Sequence, residues 1–322
     1  MEILITGSVA FDYLMSFPGL FREHLLEEHL EKVSLSFLVD RLVHRRGGIA
    51  PNIAYTLALL GDRPKIMATV GKDFDEYGAW LQAQGVDISE AKVIDDKFTA
   101  SFFATTDTSN AQVASFYPGA MEDASQLSLH NLSGKTPDLV VISPNDPAAM
   151  EKYIEECKQM GLAYMYDPSQ QIVRFEGNVI RNGIEGAESL FVNDYEFEMV
   201  KKKTGMSLEE VLSQLKFMVL TLGPKGAVVY HQDGKEIIEA VPTDLIIDPT
   251  GVGDAFRGGF LTGYRLGMDW RTCGELGSLA ATYCLENDGP QGHAFEIEEF
   301  LARYREHYQD EGRLDALINQ GA

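Results

Sequence analysis

Hydrophobic and polar positions follow two different patterns along this 322-residue chain. In most of the chain, short apolar runs that close in polar residues or glycine are separated by helical stretches, which is typical of βα units around a buried parallel sheet. The apolar runs are ILITGSVAFD, DLVVIS, LAYMYDPS, SLFVND and FMVLTLGPKG. The predicted helices include Asn52–Leu60, Pro147–Met160, Asp194–Lys203 and Asp254–Leu266. The bulk of the chain is therefore predicted to form a large α/β domain.

Three other segments alternate apolar with polar residues, as half-exposed strands do. They are Lys32–Val39, FTASFFATT from Phe98 and AQVASFYPG from Ala111. Because they interrupt the βα rhythm, they predict a small sheet inserted into the α/β domain as a lid over the carboxyl edge of the parallel sheet. The predicted boundaries are about 1–10, 48–94 and 120–322 for the large domain and about 11–47 and 95–119 for the lid.

Composition narrows the partners and the compartment. The 49 acidic and 27 basic residues give a net charge of −22, which opposes binding to a phosphate backbone, so nucleic acid is not expected as a partner. The three cysteines lie far apart without a CxxC pair, as expected of core residues in a reducing compartment. With no signal-peptide pattern and no apolar run approaching about 20 residues, we expect a cytoplasmic protein without a membrane partner.

A glycine-rich stretch, DPTGVGDAFRGG from Asp248 to Gly259, carries the chemistry. Without Cβ atoms at Gly251 and Gly253, the backbone can approach a ligand closely, and unpaired N–H groups of the first helical turn can bind a transferring phosphoryl group. Asp254 lies beside this anion hole, where it can accept a proton from an attacking hydroxyl, and the helix N-terminus is expected to keep it ionised. Taken alone, the stretch is equally compatible with a helix cap and a tight turn.

The stretch resembles the second signature of the PfkB, or ribokinase-like, family, D-[PSTV]-x-[SAG]-[SAG]-G-D. Only Val252 departs from the pattern, and its backbone N–H is available whatever its side chain. The resemblance implies an ATP-dependent kinase with a three-layer α/β/α domain and a small β-sheet lid. It also implies that Asp254 is the catalytic base and that the backbone of 251–253 forms the anion hole.

The first signature of the same family is present as GGIAPNIA from Gly47, with Gly61 and Gly71 at the family's spacing. Gly48 would let a sugar ring lie against the backbone, and Asn52 in the first helical turn can offer its amide to a hydroxyl. Taken alone, this stretch is a Gly-Gly turn before a helix. Two signatures nearly 200 residues apart in the right order make a coincidence remote.

Two further motifs resemble those of the family's ATP site. Asn193-Asp-Tyr-Glu196 is similar to its N-x-x-E motif, in which the Glu holds Mg²⁺ through water, although these residues also suit a helix cap. TLGPKG is similar to its [TS]-x-G-x-x-G loop. The resemblance assigns ATP binding to Asn193, Thr221, Gly223, Lys225 and Gly226. It also extends, more weakly, to a monovalent-cation (K⁺) site at Asp248 and Thr250.

The acceptor is suggested by a likeness that spans nearly the whole chain. TGSVAFDYLMSFPG, KVSLSFLVD, ASFYPGAM and DPSQQ together resemble the mycobacterial type of bacterial adenosine kinases. The resemblance implies a nucleoside site in which Asp12 binds both ribose hydroxyls and two aromatic lid residues stack on the purine. The implied site residues are Ser8, Asp12, Ser36, Gly48, Asn52, Phe102, Phe116 and Gln170 or Gln171.

The expected reaction is transfer of the γ-phosphate of ATP, with Mg²⁺, to the 5′-hydroxyl of adenosine, which gives AMP and ADP in purine salvage. The resemblance also implies a homodimer that pairs through lid strands, including the one around Leu35–Val39. The nearest alternative is a PfkB kinase for another acceptor, such as ribose, guanosine, inosine or cytidine. A nucleoside-binding sensor without activity is disfavoured because Asp254 and both hole glycines are present.

Residue spacing excludes two nucleotide-binding motifs of other protein classes. Phe256 stands where a dinucleotide-binding G-x-G-x-x-G needs its third glycine. Leu129 stands where a P-loop that included SGKT would need its first glycine. No HExxH, zinc-spaced Cys/His set or G-x-S-x-G motif supports a metallohydrolase or serine hydrolase.

Overall fold

The computed structural model describes residues 1–24, 35–310 and 312–318. The helices and strands within these ranges follow the predicted βα rhythm. The strands are β1 (Ile3–Thr6), β2 (Ala10–Ser16), β3 (Arg41–Gly47), β4 (Lys65–Gly71), β5 (Asp87–Ile94), β6 (Ala100–Thr106), β7 (Gln112–Tyr117), β8 (Leu139–Ile142), β9 (Tyr164–Tyr166), β10 (Ser189–Asn193), β11 (Phe217–Thr221), β12 (Ala227–His231) and β13 (Gly234–Ile238). The helices are α1 (Ile49–Leu59), α2 (Asp75–Ala83), α3 (Pro147–Met160), α4 (Gly177–Ile184), α5 (Asp194–Thr204), α6 (Leu208–Leu212), α7 (Val252–Arg265), α8 (Trp270–Leu285), α9 (Ile297–His307) and α10 (Asp315–Ile318).

A large mixed sheet runs through the middle of the molecule. Among the described residues its strand order is β13-β12-β11-β10-β9-β8-β1-β4-β5, and only β12 runs antiparallel to its neighbours. Successive connections leave β1 in opposite directions, towards β4 and towards β8, so the carboxyl end of β1 lies at a topological switch point. Ligands of parallel α/β sheets bind at such an edge.

Both faces of this sheet are buried under helices. Ile3 and Ile5 of β1 pack into a core with α1, α2, α7 and α8, whereas Leu4 packs into a second core with α3, α4, α5 and α6. Strands buried on both faces are apolar at successive positions, which explains why β1 and β8 read as continuous apolar runs. The predicted three-layer α/β/α architecture is confirmed, and Pro147–Met160 has the predicted bounds.

A second sheet of four described strands has the order β3-β2-β6-β7. β2 pairs antiparallel with β3 and parallel with β6, and β6 pairs antiparallel with β7. The first apolar run therefore does not form one strand: β1 ends at Thr6, and the chain turns through 7–9 into β2 of the small sheet. This small sheet is the predicted lid.

One predicted lid strand is wrong where it can be assessed. Residues 35–39 of the predicted strand Lys32–Val39 have no regular secondary structure, and 32–34 lie outside the described residues. Phe37 instead packs on Phe17 and Phe21, with ring centroids 5.1 and 4.9 Å away. The place beside β2 is taken by β3, whose sequence RLVHRRG is too rich in charge to show an alternating pattern.

No helix within the described residues is both long enough and apolar enough to span a membrane. The three cysteines, Cys157, Cys273 and Cys284, are buried and free, as their spacing predicted.

Candidate active site

Asp254 lies in the first turn of α7, at the carboxyl edge of the large sheet, and is half-buried. Its Oδ2 accepts a hydrogen bond of 2.8 Å from Nδ2 of Asn52, which belongs to the first turn of α1. The two family signatures, nearly 200 residues apart, are thus joined by a direct contact between their polar side chains. This contact sets the direction in which the carboxylate faces.

The turn before Asp254 has the geometry that the glycine pattern predicted. Gly251 is the N-cap of α7 with φ of 79°, and a Cβ there would lie 2.3 Å from Cβ of Pro290, so only glycine fits. Because α7 begins at Val252, the first N–H groups of the helix have no intrahelical acceptor. The Val252 N–H makes one long contact of 3.4 Å with the Pro249 carbonyl. Amides of this turn can therefore bind an anion next to Asp254.

A chain of buried hydrogen bonds supports Asn52 from behind. Nε2 of Gln291 donates to Oδ1 of Asn52 at 2.8 Å and to the Tyr77 hydroxyl at 2.6 Å. The Tyr77 hydroxyl in turn donates to the Gly47 carbonyl at 3.0 Å. Since Gln291 donates to Oδ1, the amide of Asn52 is fixed with its NH₂ group directed at Asp254. The orientation of Asp254 is therefore set before any substrate binds.

One helical turn beyond Asp254, Arg257 forms a buried two-pronged ion pair with Asp167. Its Nη2 lies 2.6 Å from Oδ1 and its Nε 2.6 Å from Oδ2. Arg257 and Asp167 are 9% and 1% exposed, so both charges depend on each other for solvation. The Arg257 Nη1 lies beneath Gly253, where a Cβ would be 2.9 Å away. The guanidinium thus places a positive charge directly under the glycine-rich turn.

Burial raises the pKa of Asp254 to about 6, despite the opposing effects of Arg257 and the hydrogen bond from Asn52; Glu196 raises it further. The helix N-terminus is expected to help keep Asp254 ionised, and burial works against this by raising its pKa. At neutral pH Asp254 is still ionised in most molecules. A base whose pKa lies near the working pH is well suited to accept a proton.

Ser8 and Gly48 bring the end of β1 against the start of α1. The Ser8 Oγ accepts a hydrogen bond of 3.3 Å from the Ile49 N–H, and Ser8 is buried. Gly48 has φ of 97°, and a Cβ there would lie 2.5 Å from the Ser8 carbonyl oxygen. This glycine is therefore required for the close approach of residues 8–10 to the start of α1, the helix that carries Asn52.

Three of the predicted acceptor-site residues form a row across the lid strands. Asp12 on β2 pairs in register with Phe102 on β6, and Phe102 pairs with Phe116 on β7. Residues paired across neighbouring strands have their side chains on the same face of a sheet. Burial raises the pKa of Asp12 to about 6; Arg45 opposes this and Asp248 adds to it. Phe116 is 51% exposed, so its ring is open for contact with a ligand.

Three residues predicted to bind the acceptor, Ser36, Gln170 and Gln171, differ from the others in their exposure or their contacts. Ser36 is exposed in the irregular segment 35–39, which precedes the end of β3 furthest from Gly47. Gln170 is exposed. Gln171 is buried and donates from Nε2 to the Asn145 carbonyl at 2.8 Å, which leaves its Oε1 without a partner in the described residues.

The predicted phosphate motif is a helix cap. The Asn193 Oδ1 accepts from the Glu196 N–H, and the Glu196 Oε2 accepts from the Asn193 N–H, both at 2.8 Å. The Glu196 Oε1 also accepts a hydrogen bond of 3.2 Å from the Ser169 hydroxyl. Because a carboxylate oxygen has two acceptor sites, Glu196 still has capacity for a water molecule. Its charge reaches Asp254 and raises the pKa of that group.

The predicted ATP loop follows β11 at the same edge of the sheet. Thr221 ends the strand, and Gly223 and Lys225 lie in an exposed turn. Gly226 has φ of 85°, and a Cβ there would lie 2.0 Å from the Ile238 carbonyl oxygen, so it must be glycine to pass the hairpin β12–β13. The loop is open to a nucleotide from the solvent side.

The residues present fit Mg²⁺ but not K⁺. A Mg²⁺ ion that keeps its water and binds ATP phosphates needs only one or two carboxylates nearby, and Glu196 supplies one. No cluster of three or more His, Cys, Asp or Glu side chains suited to a metal occurs in the described part of the chain. At the predicted K⁺ site, Asp248 is already engaged: Oδ1 accepts the Thr250 N–H at 2.9 Å and Oδ2 accepts Nη1 of Arg45 at 2.5 Å.

Sequence reasoning missed four residues at this site. They are Arg45, Asp167, Arg257 and Gln291. An arginine inside the small and apolar stretch DAFRGGFLTG is a signal for Arg257, since a charge on a buried helix needs a partner. Asp167 directly follows the apolar strand β9 and precedes Pro168, which is a position at the carboxyl edge. Arg45 and Gln291 carry no local signal.

The chain matches known proteins along most of its length. Residues 9–296 match the family described as pfkB family carbohydrate kinase. A structure of the nucleoside kinase from Burkholderia thailandensis in complex with inosine is 38% identical, with a TM-score of 0.84, and the match covers 95% of this chain and 98% of that one. The same kinase in complex with ADP-inosine is 39% identical, with a TM-score of 0.82 and coverage of 95% and 96%.

Two archaeal proteins match over a similar span. The structure of the Methanocaldococcus jannaschii nucleoside kinase, described as a member of the ribokinase family, is 26% identical, with a TM-score of 0.85, and the match covers 95% of this chain and 99% of that one. The nucleoside kinase of Methanothermobacter thermautotrophicus is 27% identical over 306 residues, which are 94% of this chain and 95% of that protein.

Proposed function

The chain belongs to the pfkB family of carbohydrate kinases and is an ATP-dependent nucleoside kinase within it, and from this premise we propose that it phosphorylates the 5′-hydroxyl of adenosine. The products are AMP and ADP. Family membership sets the phosphate donor and the type of reaction, whereas the acceptor depends on the lid.

One observation carries the choice of a nucleoside with a purine base: the row formed by Asp12, Phe102 and Phe116 on one face of the lid sheet. A carboxylate can accept hydrogen bonds from both ribose hydroxyls, and an aromatic ring can stack on a base. The half-exposed ring of Phe116 has unused surface for such contact. A bare sugar has no flat face that would use these rings.

The proposed mechanism uses the preformed carboxyl edge. Asp254, held by Asn52, accepts the proton of the 5′-hydroxyl as its oxygen bonds to the γ-phosphorus of ATP, and the bond from that phosphorus to the bridging oxygen of ADP breaks. The amides of 251–253 bind the transferring group, and Arg257 adds positive charge beneath them. Mg²⁺ that arrives with ATP would neutralise phosphate charge, with Glu196 holding its water. Residues 221–226 bind the nucleotide.

A second candidate acceptor is inosine. The relative from Burkholderia thailandensis that is 38% identical to this chain was crystallised with inosine. The two nucleosides share the ribose and the purine face, so Asp12 and the two phenylalanines suit both. They differ at the 6-position of the base, where adenosine carries an amino group and inosine a carbonyl oxygen.

A panel of acceptors tests the proposal. We would measure Mg²⁺- and ATP-dependent ADP release with adenosine, inosine, guanosine, cytidine, ribose and fructose at equal concentrations. We expect the highest kcat/KM with adenosine. A higher kcat/KM with inosine would replace adenosine but keep the purine site, whereas a preference for ribose would contradict the role of the two phenylalanines.

We further propose that the protein is a homodimer that pairs through the lid. β3 and β7 are the edge strands of the small sheet, and all six residues of β7 are exposed. An unpaired edge of this kind is a template for a second strand. Light scattering at micromolar concentration is expected to give twice the chain mass, and a monomer under these conditions would contradict the proposal.

A further inference from the structure

Arg45 joins the lid to the glycine-rich turn. It lies on the lid strand β3, directly opposite Asp12 on β2. Its side chain leaves the lid and donates hydrogen bonds to two carboxylates of the large domain, Asp248 and Asp288. The side chain of Arg45 is 16% exposed and that of Asp248 14%, so the Arg45–Asp248 pair is not an ion pair of the open surface, whereas Asp288 is exposed.

Through Asp248, this contact connects Arg45 to the glycine-rich turn. Asp248 is the first residue of the DPTGVGD turn that ends in Asp254. Its Oδ1 accepts a hydrogen bond from the Thr250 N–H, and its Oδ2 accepts one from Nη1 of Arg45. Arg45 also passes close to Gly289, where a Cβ would lie 3.1 Å from its Cδ. The guanidinium therefore lies between the start of the turn and the loop after α8.

A monovalent cation at Asp248 would compete with this guanidinium for the same carboxylate, whose negative charge Arg45 already balances. We propose that Arg45 takes the place of such a cation: its charge fixes the glycine-rich turn, and it does so only while the lid lies on the large domain. Closing the lid over the acceptor then completes the anion hole in the same movement, because β3 carries Arg45 next to Asp12. The inference rests on the kinase reaction and not on adenosine as the acceptor.

The first experiment measures the dependence of the rate on cations. Initial rates with the best acceptor of the panel are taken at constant ionic strength with K⁺ or with tetramethylammonium. The wild type is expected to change less than about twofold between the two salts. Arg45→Ala should lose about tenfold or more in kcat without K⁺, and added K⁺ or guanidinium should restore much of it. Arg45→Lys keeps the charge but lacks the planar guanidinium fork that contacts both carboxylates, so we expect an intermediate rate.

Arg41→Ala is the matched control, because Arg41 is exposed at the other end of the same strand. It should keep the wild-type rate in both salts. Activation of the wild type by K⁺ of about fivefold or more would overturn the proposal, as would an Arg45→Ala variant within about twofold of the wild type without K⁺. If Arg45→Ala does not fold, the wild-type salt series and Arg45→Lys decide.

A second readout needs no acceptor. The ring of Trp80 in α2 lies under the guanidinium of Arg46 of β3, 4.0 Å from its centroid, so its fluorescence reports whether β3 is in place. In a Trp270→Phe background, Arg45→Ala should make Trp80 more accessible to acrylamide, and Arg41→Ala should not. Equal quenching in all variants would contradict the proposed link between Arg45 and the position of β3. This outcome does not depend on which acceptor the protein uses.

Discussion

The two sides of the active site differ in how far they are fixed before substrates bind. On the base side, a chain of hydrogen bonds of 2.6–2.8 Å fixes Asp254. Asn52 donates to Asp254, and Gln291 donates both to Asn52 and to the Tyr77 hydroxyl. On the lid side, the Phe102–Phe116 pair has an open face, and Phe116 is 51% exposed. If these residues have their proposed roles, the base is preorganised, whereas the aromatic face of the lid is completed only when an acceptor covers it.

This contrast has a physical reason. Groups that stabilise a transition state lose least free energy when they need not reorganise during the reaction. A lid must open to admit substrate, so its contacts with the ligand cannot be permanent. Substitutions on the base side should therefore lower kcat, while substitutions on the aromatic face should mainly raise KM.

The largest effect is expected for Asp254→Asn. Without a base, kcat for ADP release should fall by about three orders of magnitude, while the dissociation constant for the nucleoside, measured by calorimetry, should change little. The variant should also be more stable than the wild type above pH 6, since burial raises the pKa of Asp254 to about 6. The folded state binds this proton more tightly than the unfolded state, so the gap should close as the pH falls towards 4. A variant with near-normal kcat would exclude Asp254 as the base.

Asn52→Ala should lower kcat by about a hundredfold, because it removes the donor that orients Asp254 and leaves Gln291 without its acceptor. The lost hydrogen bond favoured the ionised form of Asp254, so the pKa of that group should rise. The acid limb of the pH profile of kcat/KM should then move to higher pH. Gln291→Met should produce the same shift to a smaller extent, and an unmoved acid limb in both variants would contradict the chain.

Arg257→Met tests the charge beneath the turn. The change leaves Asp167 buried without its partner and should reduce the free energy of unfolding by about 3–5 kcal/mol, measured with urea. The double variant Arg257→Met/Asp167→Asn should recover most of this stability. It should still show the acid limb of kcat/KM at higher pH, because Arg257 opposes the rise in the pKa of Asp254. A stable double variant with the wild-type profile would make the pair purely structural.

The same contrast explains what could be predicted from the sequence. The positions of Asp254, Gly251 and Gly48 follow from local rules, since a positive φ or a close backbone approach admits only glycine. Arg45 and Gln291 act through partners 203 and 239 positions away, and nothing next to them in the chain indicates those partners. Long-range pairs of polar side chains are set by how distant elements of the chain pack together, which no local pattern encodes.

Two local sequence patterns turn out to have structural roles close by. The alternation of Lys32–Val39 predicted a strand, but residues 35–39 have no regular secondary structure. Phe37 packs in an aromatic cluster with Phe17 and Phe21, so its side chain is accommodated without pairing of this segment to another strand. Asn193 and Glu196 form a capping box, and their predicted role beside the phosphates and Mg²⁺ stays a prediction. In both cases a local pattern served a nearby tertiary or helical role.

The smallest effect is expected on the lid. Phe102→Ala or Phe116→Ala should each raise the KM for the purine nucleoside about tenfold and change kcat little, since stacking on a base contributes about 1–3 kcal/mol. Phe103→Ala is the matched control: Phe103 follows Phe102 on β6, so its side chain lies on the opposite face of the lid, stacked on Tyr13 at 4.8 Å. Kinetics with cytidine should show a smaller loss, because a pyrimidine covers less of the aromatic face. If Phe103→Ala raised KM as much as the other two, the lid would act through its stability and not through the face that carries Asp12.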